Sequence, residues 1–163
     1  MTLLIDANGR FAGYASVFNE RDQGGDTMMP GAFAKCLRVK GAAGIRLLFQ
    51  HDPREPVGVW DRLVEDRRGL YAEGHLVAGV PRADALRHLI AARAIDGLSI
   101  GFRAERATRD PRSGARSLFE VDLWEVSLVT FPMLGSARIS PLPRGPEGAR
   151  TAAMTQLLAT LST

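Results

Sequence analysis

The stretch Gly97-Leu98-Ser99-Ile100-Gly101-Phe102-Arg103 decides how this chain is read. Leu98, Ile100 and Phe102 alternate with Ser99, Gly101 and Arg103. That is the period of a strand with one buried face. Ser99 therefore points away from Leu98 and Ile100, and its neighbours on its own side are two glycines. Small neighbours leave a hydroxyl accessible and let a peptide backbone come close. Two readings of Ser99 stand at this point: a nucleophile that needs a base, or a plain Gly/Ser kink in an edge strand.

Upstream of this strand, Pro81 to Ile95 predicts a helix. Leu86, Leu89, Ile90 and Ala94 recur at helical spacing, Pro81 stands at the start and Gly97 beyond the end. Downstream, Arg103, Arg106, Arg109, Arg112 and Arg116 cluster among Asp110, Pro111, Ser113 and Gly114, which predicts a solvated loop. Leu118 to Thr130 then predicts a long strand, ended by Phe131-Pro132. Earlier in the chain, residues 11–18 predict a strand and 19–26 a polar loop. A helix is expected from Pro30 to Lys40, and a short buried strand at Ile45 to Phe49. Pro56 to Val64 and Gly69 to Val77 predict a hairpin. The sum is about six or seven strands with two main helices, an α+β or barrel-type sheet rather than a doubly wound one. Residues 1–140 are expected to form one domain. Pro141, Pro143, Gly145, Pro146 and Gly148 open a linker and short tail over 141–163, with a small amphipathic helix at Thr151 to Leu161.

The 163 residues are 45% hydrophobic and 24% charged, ordinary for a globular domain with its own core. No apolar run is long enough to span a bilayer, and residues 1–10 lack the basic and apolar regions of a signal peptide, so a cytosolic site of synthesis is expected. Gly-rich phosphate loops are absent, which argues against nucleotide chemistry. Net charge is +3. The arginines of 103–116 have no aromatics interleaved for base stacking, so nucleic acid is not the expected partner. The single cysteine, Cys36, sits on the apolar side of the first helix and is read as a packed core residue. No Cys/His cluster has metal-ligand spacing.

Three histidines are available as bases. His88 lies on the long helix, four residues after Asp84, a spacing that suits a surface pair. His75 follows Gly74 in an alternating strand and reads as an exposed residue or a substrate contact. His51 ends a buried apolar strand in Phe49-Gln50-His51-Asp52-Pro53. A polar side chain where a rigid strand leaves the core suits catalysis, and it equally suits a strand cap. An imidazole base needs an orienting group. Glu125 is the candidate, since Trp124, Val126 and Leu128 are expected on one face and Leu123, Glu125, Ser127 and Val129 on the other. A carboxylate in so apolar a strand is costly unless paired. Asp122 and Glu120 are weaker substitutes, and a structural ion pair is the plain alternative for Glu125.

These segments, in this order, resemble the prohead protease family of tailed phages, which is related to the herpesvirus assemblins. The carriers are Gly13-Tyr-Ala-Ser-Val-Phe18, then Asp26 with Pro30-Gly31-Ala32-Phe33, then Leu48-Phe49-Gln50-His51-Asp52 with Pro56-Val57-Gly58. Gly69-Leu70, Leu98-Ser99-Ile100-Gly101-Phe102 and Glu125-Val126-Ser127-Leu128-Val129 followed by Pro132 complete the set. The resemblance implies a herpesvirus-protease-like β-barrel flanked by helices. It implies a serine endopeptidase whose histidine falls on His51 and whose nucleophile falls on Ser99. No histidine follows Ser99, so a complete triad requires an acid, and Glu125 fits. It implies a major capsid protein or scaffold as substrate, the protease itself as a further one, and action in the host cytoplasm inside the assembling procapsid. A homodimer is implied by analogy alone. No cofactor and no metal is implied. The alternative on the same fold is a non-catalytic assembly factor that binds capsid or scaffold protein.

Overall fold

The computed structural model describes residues 2–142. The linker from residue 143 and the predicted helix at Thr151 to Leu161 lie outside the described residues. In chain order the elements are β1 (Arg10–Val17), β2 (Asp26–Met28), α1 (Ala34–Lys40), β3 (Arg46–Phe49), β4 (Asp52–Glu65), β5 (Gly69–Leu76), α2 (Pro81–Ala91), β6 (Gly97–Arg109), β7 (Arg116–Val129) and β8 (Ile139–Ser140).

All the strands join one sheet, and β7 organises it. One edge of β7 carries β6, antiparallel along its whole length. The other edge is shared. β2 runs parallel to residues 116–118, and β3 runs parallel to residues 125–128. From β3 the sheet continues antiparallel through β4, β5 and β1. β8 then pairs with β1. The segment just before β8 bridges back to the start of β6: Arg138 pairs with Gly97, and the Leu98 N–H donates to the Ala137 carbonyl at 2.9 Å. Residues 137–140 thus form a strap across the seam of a curled sheet.

Inside the curl lie Phe11, Leu47, Val57, Leu70, Leu98, Leu118, Val121 and Leu123, all essentially without exposure. Helix α2 adds Ala83, Leu86 and Ile90. This stripe differs from the expected one, because Leu89 is 39% exposed and α2 ends at Ala91. Residues three and four apart share a helix face, and the face turned inward here is 83-86-90. Asp84 accepts from the Gly79 N–H at the helix start rather than pairing with His88. Helix α1 begins at Ala34, later than the proline signal implied. Residues before it are held in a turn instead: the Glu65 carboxylate accepts from the N–H groups of Gly31 and Phe33, and Gly31 has φ +92°. Cys36 is buried on α1, as its apolar neighbours indicated.

The β4–β5 hairpin is closed by Asp66, whose Oδ1 accepts from the Arg68 and Gly69 N–H groups. Its Oδ2 accepts from the Tyr14 hydroxyl. Burial, reinforced by that bond, raises the Tyr14 pKa above the usual phenol range.

Two further expectations, both about strands, differ from the structure. The arginine-rich stretch is mostly strand: β6 runs on to Arg109 and β7 starts at Arg116, leaving only residues 110–115 as the turn. Asp110 ties that turn by accepting from the Arg112 and Ser113 N–H groups. Turn residues mark only where a hairpin reverses, not the length of the arms on either side. The second correction concerns the faces of β7. Gly101 pairs with Glu125 but Phe102 pairs with Leu123, so Trp124 is an extra residue, a β-bulge. The bulge turns Trp124 out to solvent and puts Leu123, not Trp124, with Val126 and Leu128 in the core.

Candidate active site

His51 stands in the two-residue turn between β3 and β4, where Phe49 pairs with Asp52. Gln50 and His51 both have positive φ, 54° and 58°. That is the backbone of a type I′ hairpin turn, usually Asn-Gly. Non-glycine residues held there cost on the order of 1–3 kcal/mol each. Neighbouring bonds hold the turn. The Gln50 N–H donates to the Leu128 carbonyl at 2.9 Å, and its side-chain amide donates to Thr130 Oγ1 at 2.7 Å. The His51 N–H donates to Ser127 Oγ at 3.1 Å.

The His51 ring meets Glu125 through Nδ1 and Oε1. Ser127, fully buried, donates its hydroxyl to Glu125 Oε2 at 2.6 Å. One serine hydroxyl therefore ties the carboxylate and the histidine backbone together. Ser99 lies on β6 directly opposite Ser127, so the two side chains share a face. Gly101 lies directly opposite Glu125. A Cβ at Gly101 would stand 2.8 Å from Glu125 Cδ, so the glutamate side chain lies flat over that glycine. The bulge at Trp124 leaves this face intact from Glu125 onward.

Ser99 is only 4% exposed and makes no side-chain hydrogen bond among the described residues. It lines a cavity between β6, β1 and the loop before β2. The His51 side chain is 40% exposed and that of Glu125 12%. With Nδ1 against a carboxylate acceptor, the neutral ring carries its proton there and offers Nε2 as the free lone pair. A carboxylate, an oriented imidazole and a serine on one face are the parts of an acyl-transfer site.

The other candidates are engaged elsewhere. His75 faces Asp61 at 2.8 Å on the exposed face of the hairpin. His88 borders a groove with Leu3, Ile5 and Arg87. Glu120 pairs with Lys35 at 2.8 Å, and Asp122 pairs with Lys40 of α1. Both lysine contacts hold these carboxyls below the usual range. His51, Ser99 and Glu125 stand out in the sequence, and Ser127 does not. Its alternation already put it on the Glu125 face; what was missing was the turn that brings the His51 amide to it.

Among curated proteins, the chain is 36% identical over 136 residues to the prohead protease of Enterobacteria phage HK97. That match covers 82% of this chain and 60% of the relative's length. The structure superposes on the bacteriophage T4 capsid assembly protease with a TM-score of 0.60 and 17% identity, covering 81% of this chain and 90% of that one. It superposes on the KSHV protease, solved with a hexapeptide phosphonate inhibitor, with a TM-score of 0.59 and 13% identity, covering 90% and 75%. The curled mixed sheet with two helices is therefore the herpesvirus-protease fold. With residues 3–150 matched by the Caudovirus prohead serine protease family, the chain belongs to that family.

Proposed function

We propose that this protein is a serine endopeptidase of capsid maturation, with Ser99 as nucleophile, His51 as base and Glu125 as the group that orients and charge-balances the imidazole. The observation that carries the reading is the His51–Glu125 contact on the same sheet face as a buried, unbonded Ser99 hydroxyl. His51 takes the Ser99 proton while Oγ attacks the scissile carbonyl. Collapse of the tetrahedral intermediate breaks the C–N bond, and the imidazolium gives its proton to the leaving amine. Water, deprotonated by the same imidazole, then hydrolyses the acyl-enzyme.

Family membership supports segments of the capsid or scaffold protein as substrates, cut inside the assembling procapsid in the host cytoplasm, with the protease itself as a further substrate. The chain spans about 60% of the length of its HK97 relative, so these roles are assigned to it by proposal. Co-expression with the capsid or scaffold gene of the same locus tests the reading. Wild type is expected to shorten the partner, and Ser99→Ala to leave it full-length. Processing that survives Ser99→Ala overturns the nucleophile. A wild type that binds capsid protein, never cuts it and is not labelled by serine-directed phosphonates is an assembly factor instead.

A further inference from the structure

The cavity that Ser99 lines has a volume of about 200 Å³ and a divided chemistry. Its walls are apolar, among them Val17, Met28, Phe102 and Leu134. Its polar lining includes three carboxylates, Glu20, Asp22 and Asp26. Asp26 is neutralised by a two-pronged pair with Arg116, at 2.7 and 2.6 Å. Glu20 and Asp22 have no ion pair among the described residues. Glu20 accepts from the Ser136 hydroxyl, and Asp22 Oδ1 accepts from the N–H groups of Gly24 and Asp26. Arg116, which pairs with Asp26, also acts electrostatically on Asp22, whereas Glu20 is exposed and has no ion pair among the described residues. A second buried hydroxyl, Ser16, lines the same cavity at 4% exposure, again with no side-chain hydrogen bond among the described residues.

Two serine hydroxyls without a protein partner open onto this space and can meet a polar group there. Apolar walls with an anionic lining suit a side chain that has a long aliphatic stem and a cationic head. We propose that this cavity is a specificity subsite for a lysine or arginine side chain of the substrate, next to the scissile bond. The stem lies along Val17, Met28 and Phe102, and the head meets Glu20 and Asp22. This rests on the peptidase reading of Ser99 and names the class of peptide cut there. Neutral apolar side chains fill the walls but bring no positive charge to Glu20 and Asp22, and acidic ones are repelled.

The test uses the full chain in two arms. In the first, wild type and an E20Q/D22N variant digest a peptide library, and mass spectrometry maps the cuts. Gln and Asn keep the acceptor oxygens used by Ser136, Gly24 and Asp26, so the loop retains its bonds. Wild type is expected to favour lysine or arginine at one fixed position beside the cut, by about tenfold over leucine, and the variant to lose that preference. In the second arm, Ser99→Ala protein is titrated with a lysine-containing hexapeptide amide and its norleucine counterpart. The lysine peptide should bind about tenfold tighter at low salt, less at high salt, and no tighter once E20Q/D22N is added. Cuts with no basic preference, or equal binding of the two peptides, overturn the subsite and leave the peptidase reading standing. Lysine-selective binding by a protein that cuts nothing supports the subsite and overturns the peptidase reading.

Discussion

Gly101 lies directly across the β6–β7 hairpin from Glu125, and the glutamate side chain occupies the space where a Cβ on residue 101 would be. A methyl group there does not strike the backbone. It strikes the end of a side chain whose carboxylate is bonded to His51 and Ser127. Gly101→Ala is therefore expected to cut the rate of peptide cleavage by about 10²-fold, the usual effect of moving a catalytic group by about an ångström. Thermal melting should fall as well, because the displaced carboxylate is only 12% exposed and its bonds to His51 and Ser127 are disturbed. A fully active Gly101→Ala enzyme would mean that Glu125 does not orient His51.

Ser127→Ala removes one hydroxyl from two bonds. Glu125 Oε2 loses its donor and the His51 N–H its acceptor, both bonds being partly buried. The expected cost is about 1–3 kcal/mol in urea unfolding, from polar groups left without partners. Cleavage should fall at the same time, since the turn that carries His51 has positive φ at two non-glycine residues and depends on such bonds. Unchanged stability and rate would remove Ser127 from the site's support.

The seam gives a purely structural prediction. A Cβ on Gly13 would stand 2.8 Å from the Ile139 Cα, against backbone that has little room to yield. Gly13→Ala is expected to destabilise by about 1–3 kcal/mol, the scale of overpacking, and to speed trypsin cleavage after Arg138. Proteolysis time courses and denaturant melts read both effects.

Acid provides a fourth test. The Asp122 carboxyl is held low by Lys40 and then by the Trp124 indole N–H, which donates to it at 2.8 Å. A carboxyl lowered on folding adds stability above its unfolded pKa of about 3.9, and that contribution is lost as pH falls through the folded value. Trp124 emission should change only below the ordinary carboxylate range. Lys40→Met should move the transition upward in pH. A midpoint that ignores Lys40 would refute the pairing.

Much of this arrangement was legible in the sequence because it rests on alternation. Leu98, Ile100 and Ser99 fall on the faces their spacing assigns, and Pro81 does open α2. What stayed hidden depends on events that alternation cannot encode. The Trp124 bulge shifts register by one residue, and Gln50-His51 forms a tight turn without the Asn-Gly that normally announces one. The partnership of His51 with Glu125 and Ser127 depends on β3 lying parallel to β7, although His51 and Glu125 are 74 residues apart in the chain. Local pattern reading has no access to a pairing that distant. The arginines of 103–109 resemble a loop in sequence for a related reason: a largely exposed hairpin arm has little buried side to give it a period.

The strap at residues 137–140 also sets a schedule. Ala12 pairs with Ser140, and Gly97 with Arg138, so the first strand made is joined by the last. Contacts that join the two ends of a chain form late, after the entropy of closing the whole loop has been met. During synthesis the strand bearing Ser99 emerges with its neighbour β1 already waiting, yet the seam beside it stays open until residue 140 is free. A nascent chain on the ribosome therefore holds His51, Ser99 and Glu125 before the seam beside them has closed, and under the proposed function cleavage begins only once residue 140 is free.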